Sequence, residues 1–273
     1  MTGEQVPPLD AEAVAGDRPS PASAATPKPA ATVAVIRDGA NGIETWMMRR
    51  VKAMAFAPGA AVFPGGGVDA RDADISVPWS GSDPETFAAR FGTDPRTARE
   101  LVTAALRELF EETGVLLASP LPQVDLDAAR IAIEKRELPL AGFLAEHGSV
   151  LQAGALHPWA RWVTPAVEPR RYDTWFFVAV LPPGTEARAV SSEADIAGWV
   201  GAQDTLGAYE RGESRLLPPT VAMLRGLVEG GSVEGVIARA ASRPLQPIHP
   251  EVAIGADGTT VVRADGQTFT TSR

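Results

Sequence analysis

Three glutamates at helical spacing are the residues of this sequence whose types and positions could do chemistry. Glu108, Glu111 and Glu112 lie in residues 107–115, which read Arg-Glu-Leu-Phe-Glu-Glu-Thr-Gly-Val. Positions i, i+3 and i+4 of an α-helix share one face, so the three carboxylates would be neighbours. Neighbouring carboxylates repel and raise one another's pKa values, and Mg²⁺ or Mn²⁺ relieves that repulsion through oxygen ligands. The spacing therefore predicts a metal site, with a solvated helix face as the alternative.

The segment around these glutamates has the signals of one helix. Residues 98–106 contain good helix formers, and Asp94 stands before a proline, which is typical of an N-cap. Gly114 can take the left-handed conformation that ends a helix. Arg107 lies four residues before Glu111, so we expect an ion pair between them.

A glycine-rich turn lies upstream, in residues 63–69, which read Phe-Pro-Gly-Gly-Gly-Val-Asp. Together the two stretches resemble the halves of the Nudix box, Gly-x5-Glu-x7-Arg-Glu-U-x-Glu-Glu-x-Gly-U, where U is aliphatic. The second half matches at every fixed position, from Arg107 to Val115, and the first half matches at Gly66. The chain therefore resembles the Nudix hydrolase family.

The match to the box has two departures. Gly66 and Arg107 are 41 positions apart where the motif has 14, so 27 residues are inserted. The Glu expected eight residues before the arginine falls on Arg99, and Glu100 is one position away. That Glu is therefore not assigned. A box split in this way resembles the coenzyme A diphosphatase branch of the family, of the peroxisomal type.

The resemblance implies a fold and a reaction. The fold would be α/β, an α/β/α sandwich with a mixed β-sheet and the box as a loop–helix–loop. The reaction would be metal-dependent hydrolysis of a phosphoric anhydride. The branch implies coenzyme A or acyl-coenzyme A as substrate, giving 3′,5′-ADP and (acyl-)phosphopantetheine. Mg²⁺ or Mn²⁺ would be held by the three box glutamates, Glu108, Glu111 and Glu112.

Further roles follow from the same resemblance. Gly66 would let the backbone approach metal or phosphate closely, because it has no side chain. Arg107 would orient the carboxylates from behind. For the general base, Glu193 in a polar loop is our first candidate and Glu112 the second. Glu193 as an ordinary solvated loop charge is the alternative.

Two pairs of arginines are candidates for contacting the phosphates of a substrate. Arg170 and Arg171 begin an apolar strand, in a segment that resembles one in the same branch, and Arg50 precedes the glycine turn. Charge-assisted hydrogen bonds to phosphate would explain such positions. The alternatives are an ion pair with Asp173 for the first pair, and an exposed strand end without ligand for Arg49 and Arg50.

Two other functions remain open at this point. One is a Nudix hydrolase acting on nucleotide sugars, dinucleoside polyphosphates or oxidised nucleotides. The other is a catalytically silent Nudix module that binds a ligand. The intact run of box residues argues against a silent module, and the misplaced upstream glutamate argues slightly for one.

Composition limits the classes of partner. The net charge of −9 argues against a nucleic-acid surface, which would be basic. It leaves an anionic small molecule open, because metal and local arginines can invert the field in one cleft. We expect a small nucleoside diphosphate-linked substrate, no nucleic acid and no membrane, and leave a homodimer open.

Cysteine is absent from the chain, so disulfides and thiol catalysis are excluded. The N-terminus has no pattern of a secretory signal, and no apolar run approaches the ~18 residues that span a membrane. We therefore expect a cytoplasmic protein.

The chain divides into three parts by composition. Residues 1–29 are rich in Pro, Ala and acidic residues, which predicts a disordered tail. Residues 30–241 would form the Nudix domain, with the insertion at about 70–95 and extra helices at about 125–147. Residues 242–273 form a C-terminal extension, predicted to be a small hairpin or an arm on another subunit.

Local patterns also predict the elements of the domain. The predicted strands are residues 30–37, 43–51, 160–164, 175–181 and 197–200. The predicted helices begin near 84, 95, 125, 140, 201, 218 and 232.

Overall fold

The computed structural model describes residues 25–51, 59–190, 194–254 and 260–271. Its strands are β1 (Lys28–Gly39), β2 (Gly42–Arg50), β3 (Ala61–Val62), β4 (Gly65–Gly67), β5 (Trp79–Ser80), β6 (Ala118–Ser119), β7 (Val150–Gln152), β8 (Leu156–Val163), β9 (Tyr172–Val180), β10 (Ala194–Gly201), β11 (Pro247–Ile248), β12 (Glu251–Ile254), β13 (Thr260–Ala264) and β14 (Gln267–Thr271). Its helices are α1 (Pro84–Phe91), α2 (Pro95–Thr113), α3 (Leu126–Glu134), α4 (Leu140–Glu146), α5 (Ala202–Glu210), α6 (Pro218–Gly230) and α7 (Val233–Ser242). Each predicted strand and helix is present, with shifted ends.

The central sheet is mixed and has the strand order β10-β2-β1-β9-β8-β11, with β3 beside β2 and β4 beside β1. Strands β1 and β9 are parallel, and β2 runs antiparallel to both β1 and β10. Strand β8 runs antiparallel to β9 and parallel to β11. A two-residue turn, Ala40-Asn41, joins β1 to β2 as a hairpin.

Alternate residues of the central strands face two separate cores. On β1, Val33 and Val35 face a core shared with α1 to α4, whereas Ala34 and Ile36 face a core shared with α5 to α7. This alternation is the two-residue period of a strand buried on both faces. The layers form the predicted α/β/α sandwich.

The glycine turn adds to the sheet at the start of β1. β1 pairs with β2 from Ile36 to the turn, and β4 pairs with residues 30–32 of β1. The other side of β1 is taken by β9, so the glycines lie at the end of the sheet where β1 and β9 begin. Helix α2 packs against both β1 and β4, which brings its glutamates to this end.

The insertion forms a structured layer on the box helix. Its helix α1 begins at an Asp83 cap and buries Phe87 and Phe91, as the sequence predicts. Arg99 donates to the carbonyl oxygens of Ile75 and Val77 at 3.1 and 2.7 Å. Arg99, which occupies the position counted for the box Glu, therefore anchors the insertion to α2.

Both ends of the domain differ from the sequence prediction. Lys28 and Pro29 pair with β9, so the disordered tail predicted for residues 1–29 includes two residues that belong to the sheet. The C-terminal extension forms the sheet β12-β13-β14 and packs on its own domain. Phe269 of β14 meets Trp162 with ring centroids 6.2 Å apart, which supports the hairpin prediction over an arm on another subunit. No helix within the described ranges is long and apolar enough to cross a membrane.

Removing residues 1–24 should leave the stability unchanged, because their composition cannot supply a packed core. Removing residues 1–31 should destabilise the domain, because Ala30 and Ala31 are buried in β1. Thermal unfolding of both truncated proteins and the full chain checks this. A shorter truncation that lowers the melting temperature as much as the longer one would show that residues 1–24 dock on the domain.

Candidate active site

Helix α2 presents the predicted chemistry from a capped and buried position. Asp94 accepts from the Thr97 amide, and Gly114 ends the helix in the left-handed conformation at φ 74°. Both caps are those expected from the sequence. Glu111 and Glu112 are each only 8% exposed, so this helix face is not solvated. The alternative of an ordinary surface helix is thereby excluded.

Arg107 is the centre of the polar network on this face. Its Nε and Nη2 donate to the two oxygens of Asp72 at 2.8 and 2.9 Å. Its Nη1 donates to Glu108 Oε1 at 2.8 Å and to Glu111 Oε2 at 2.9 Å, and Nη2 also reaches the Gly67 carbonyl at 3.2 Å. The predicted pair with Glu111 is present, and the guanidinium also binds two further carboxylates.

The charge of Arg107 is secured by these partners. Burial disfavours the guanidinium cation, but the hydrogen bonds to Asp72 and the charges of Glu108, Asp72 and Glu111 outweigh it and raise its pKa. A buried cation with this many acceptors stays charged and fixed in position. Arg107 therefore holds the acidic side chains in one arrangement.

The glycine turn lies directly against the glutamates. The Gly65 amide donates to Glu112 Oε2 at 2.7 Å. A Cβ placed on Gly66 would lie 2.5 Å from Glu108 Oε1, closer than any real contact. A side chain at Gly66 would therefore displace the Glu108 carboxylate. The two halves of the box meet here, as their resemblance to one motif implies.

Burial raises the pKa values of two of the three glutamates. Burial raises the pKa of Glu108 to about 7, with Arg107 opposing the rise. The pKa of Glu111 is raised for the same reason, and its Oε1 is buried with no hydrogen-bond partner. A hard divalent cation binds carboxylate oxygens and stabilises their ionised form. Desolvated carboxylates with one unpartnered oxygen therefore fit such a cation.

The three glutamates do not form a ready three-ligand cluster. Glu108 and Glu111 turn to Arg107, whereas Glu112 turns to Gly65. Within the parts of the chain that the structure describes, no three acidic or histidine side chains gather as a cation site. Carboxylate oxygens are ligands that a hard cation prefers. The binding of a metal ion by these three residues stays a prediction.

Asp72 is the site residue that the sequence reasoning missed. The motif counted back from Arg107 gives Arg99, but counted forward from Gly66 it gives Asp72. Asp72 is 1% exposed, binds Arg107 through both oxygens and accepts from the Asp69 amide at 2.7 Å. The insertion therefore begins after Asp72, and counting from the glycine would have found the residue.

The predicted phosphate-binding arginines lie at the same end of the sheet but have structural contacts there. Arg171 donates to the carbonyl oxygens of Thr164 and Ala25 at 3.0 and 2.8 Å. Asp173 binds Arg161 through both oxygens at 2.9 and 2.7 Å. The suggested ion pair between Asp173 and the two adjacent arginines is therefore wrong.

The structure says less about three other predicted residues, Arg170, Arg50 and Glu193. Arg170 is exposed beside the start of β9. Arg50 ends β2, where its backbone pairs with Ala194 at the start of β10 and bonds to Ala60. Glu193, the first candidate for the base, lies outside the described residues. Arg50 and Ala194 share the sheet end that holds the glycine turn.

The fold and site define a Nudix hydrolase. The crystal structure of a NUDIX hydrolase from Alicyclobacillus acidocaldarius superposes with a TM-score of 0.65 at 32% identity, covering 78% of this chain and 96% of that one. The profile of the NUDT19 Nudix domain matches residues 20–227, so the chain belongs to that family.

Named relatives agree with this assignment. The chain is 27% identical to human acyl-coenzyme A diphosphatase NUDT19, over 80% of this chain and 70% of that protein. It is 26% identical to the Gallus gallus protein of the same name, over 79% and 70%. It is 27% identical to putative nudix hydrolase 7 of Caenorhabditis elegans, over 64% and 52%.

Replacing Asp72 should destabilise the protein strongly, because it would leave the buried Arg107 cation without its bidentate partner. We expect Asp72→Ala to cost ~3–5 kcal/mol of unfolding free energy, measured by urea denaturation. The matched control is Asp127→Ala, which breaks the exposed pair with Arg188 and should cost less than ~1 kcal/mol. Equal costs for the two variants would contradict the central role of the Asp72 pair.

The pKa of Glu108 gives a pH dependence with a definite sign. Its folded value of about 7 lies above the ordinary 4.5, so the metal-free protein loses stability as pH rises between them. Glu108→Gln keeps an oxygen for Arg107 and removes the ionisation. In EDTA we expect this variant to lose less stability than the wild type between pH 5 and pH 8, by up to ~3 kcal/mol.

Urea denaturation at both pH values measures this difference. The control is Glu134→Gln, which changes a more exposed carboxylate paired with Arg130 and should keep the wild-type pH dependence. A Glu108→Gln protein with the same pH dependence as wild type would refute the assignment of the shifted group.

Proposed function

We propose that this Nudix hydrolase cleaves the diphosphate bond of coenzyme A or acyl-coenzyme A in a metal-dependent reaction. The products would be 3′,5′-ADP and phosphopantetheine or its acyl form. The observation that carries the reaction class is the glycine turn packed on Glu108 and Glu112, with Arg107 behind them. The substrate is supported by the names of the human and Gallus gallus relatives and by the split box, which resembles that of the coenzyme A diphosphatase branch.

Divalent metal ions are general among Nudix hydrolases, and Glu108, Glu111 and Glu112 would hold them here. Bound there, Mg²⁺ or Mn²⁺ would neutralise the diphosphate and lower the pKa of the attacking water. The unpartnered Glu111 Oε1 and the elevated pKa values of Glu108 and Glu111 support this donor set.

The chain's own residues supply positioning. Arg107 fixes one oxygen of Glu108 and one of Glu111. The second oxygen of each carboxylate would then be the one that binds the metal ion. The Gly65 amide fixes Glu112 Oε2 in the same way. The bare backbone at Gly66 lets the Glu108 carboxylate pack against the turn, where a Cβ would collide with it. A site fixed in this way loses little ordering entropy when it engages a substrate.

The general base is a choice between two glutamates. Glu112 stands at the glycine turn with one oxygen held by Gly65. Glu193 precedes Ala194, whose backbone pairs with Arg50 at this end of the sheet. Glu112→Gln and Glu193→Gln should therefore be compared by their pH–rate profiles, because loss of the base removes the acidic limb of the profile.

The proposed function is tested by incubating the protein with Mg²⁺ or Mn²⁺ and a panel of diphosphates. The panel contains coenzyme A, acyl-coenzyme A, a nucleotide sugar, a dinucleoside polyphosphate and an oxidised nucleotide, with products identified by mass. We expect coenzyme A compounds to have the highest kcat/KM. Glu111→Gln should lower turnover by orders of magnitude, because it removes a carboxylate from the proposed metal site.

Controls separate the possible failures. Glu229→Gln changes an exposed carboxylate paired with Arg239 on the opposite layer from α2, and it should keep wild-type turnover. Faster cleavage of the nucleotide sugar than of coenzyme A would refute the substrate but keep the reaction class. Absence of turnover on the whole panel, with folding intact, would favour a silent binding module.

A further inference from the structure

We propose that Arg71 contacts the diphosphate of the substrate and that the C-terminal end of α3 holds it ready to do so. The inference rests on the proposed function and names a residue that the sequence reasoning did not single out. Arg71 precedes Asp72 in the short 3-10 helix Ala70–Ala73, directly after the glycine turn.

The guanidinium of Arg71 stands at the outer side of the carboxylates. Its Nη2 lies 3.9 Å from Glu111 Oε1, which is within ion-pair range but too far for a hydrogen bond. Glu111 Oε1 is the oxygen that Arg107 leaves unbound. Arg71 therefore faces the side of Glu111 where a cation would bind, whereas Arg107 faces the opposite oxygen.

Arg71 has hydrogen-bond donors to spare. Its Nη1 donates to the Ile133 carbonyl at 2.9 Å, and its Nε is buried 3.3 Å from Asp69 Oδ1. Its Nη2, 3.9 Å from Glu111 Oε1, makes no hydrogen bond within the described ranges. Its side chain is 30% exposed, against 4% for Arg107, so an incoming ligand can reach it. A partly exposed guanidinium with unused N–H groups is suited to phosphate oxygens.

Helix α3 fixes Arg71 and Glu111 relative to each other. Ile133 lies in the last turn of α3, where the partial negative charge of the helix end favours a cation. Arg130 of the same helix donates to the Glu111 backbone carbonyl at 2.9 Å. On the other side, Arg136 binds Asp69 at 2.6 Å and so holds the 3-10 helix. Helix α3 therefore positions Arg71 relative to Glu111, the proposed metal ligand.

Charge balance gives Arg71 its role when substrate binds. In the free protein Arg71 is the nearest cation to Glu111 Oε1 besides Arg107, among the described residues. A metal ion bound to that oxygen would weaken the pair with Arg71. The guanidinium would then lie beside a bound diphosphate, whose oxygens would accept the Nη2 hydrogens. A pre-anchored arginine loses little side-chain entropy in this contact.

The test compares Arg71→Met, Arg71→Lys and the control Arg188→Ala. Arg188 forms an exposed ion pair with Asp127 at the start of α3 and does not contact Glu111. Steady-state kinetics with coenzyme A and Mg²⁺ gives kcat and KM, and titration with Mn²⁺ alone gives the metal Kd without substrate. We expect Arg71→Met to raise KM at least tenfold and to leave the Mn²⁺ Kd within threefold of wild type. Arg71→Lys should raise KM less, and Arg188→Ala should match wild type.

Two outcomes would overturn the inference. One is an unchanged KM in an active Arg71→Met protein. The other is a Mn²⁺ Kd weakened tenfold with KM unchanged, which would make Arg71 only an orienting group for Glu111. If Arg71→Met does not fold, Arg71→Lys decides, because it keeps the charge and should still raise KM about threefold. A wild-type protein inactive on every diphosphate would refute the proposed function, whereas an active wild type with these results refutes only the role of Arg71.

Discussion

The bidentate pair between Arg107 and Asp72 is the interaction on which the rest of the site depends. Both groups are almost fully buried, so neither can exchange its partner for water. Burying the two charges costs free energy that only good geometry and further hydrogen bonds offset. The guanidinium meets that condition by also binding Glu108, Glu111 and the Gly67 carbonyl. One cation thus joins the glycine turn, the 3-10 helix and helix α2.

This pair also explains how the motif tolerates its insertion. Asp72 and Arg107 are 35 positions apart in the chain, yet their side chains meet at 2.8 Å. Loop length adds little to the free energy of closing such a contact once the ends are fixed. The added residues form α1, which packs Phe91 onto the same core as the sheet. The insertion therefore covers α2 without separating the halves of the site.

The two-faced sheet determines where chemistry can occur. Because both faces of β1 and β9 are covered by helices, open positions for a ligand lie at the ends of the strands. The glycine turn, Arg50 and Arg171 all reach the same end. Helix α3 adds Arg71 to that end through the Ile133 carbonyl. Segments distant in sequence therefore meet where the substrate is proposed to bind.

The sequence by itself determined the features that depend on near neighbours in the chain. Helix spacing put the glutamates on one face, and cap residues bounded α2. Runs of β-branched and apolar residues identified β1 and β9. Only the tertiary structure decided the pairing of Asp72 with Arg107, the binding of Arg161 by Asp173 and the place of Arg71. The physical reason is that helical and strand patterns reflect local geometry, whereas the partner of a buried charge depends on which distant segments pack against it.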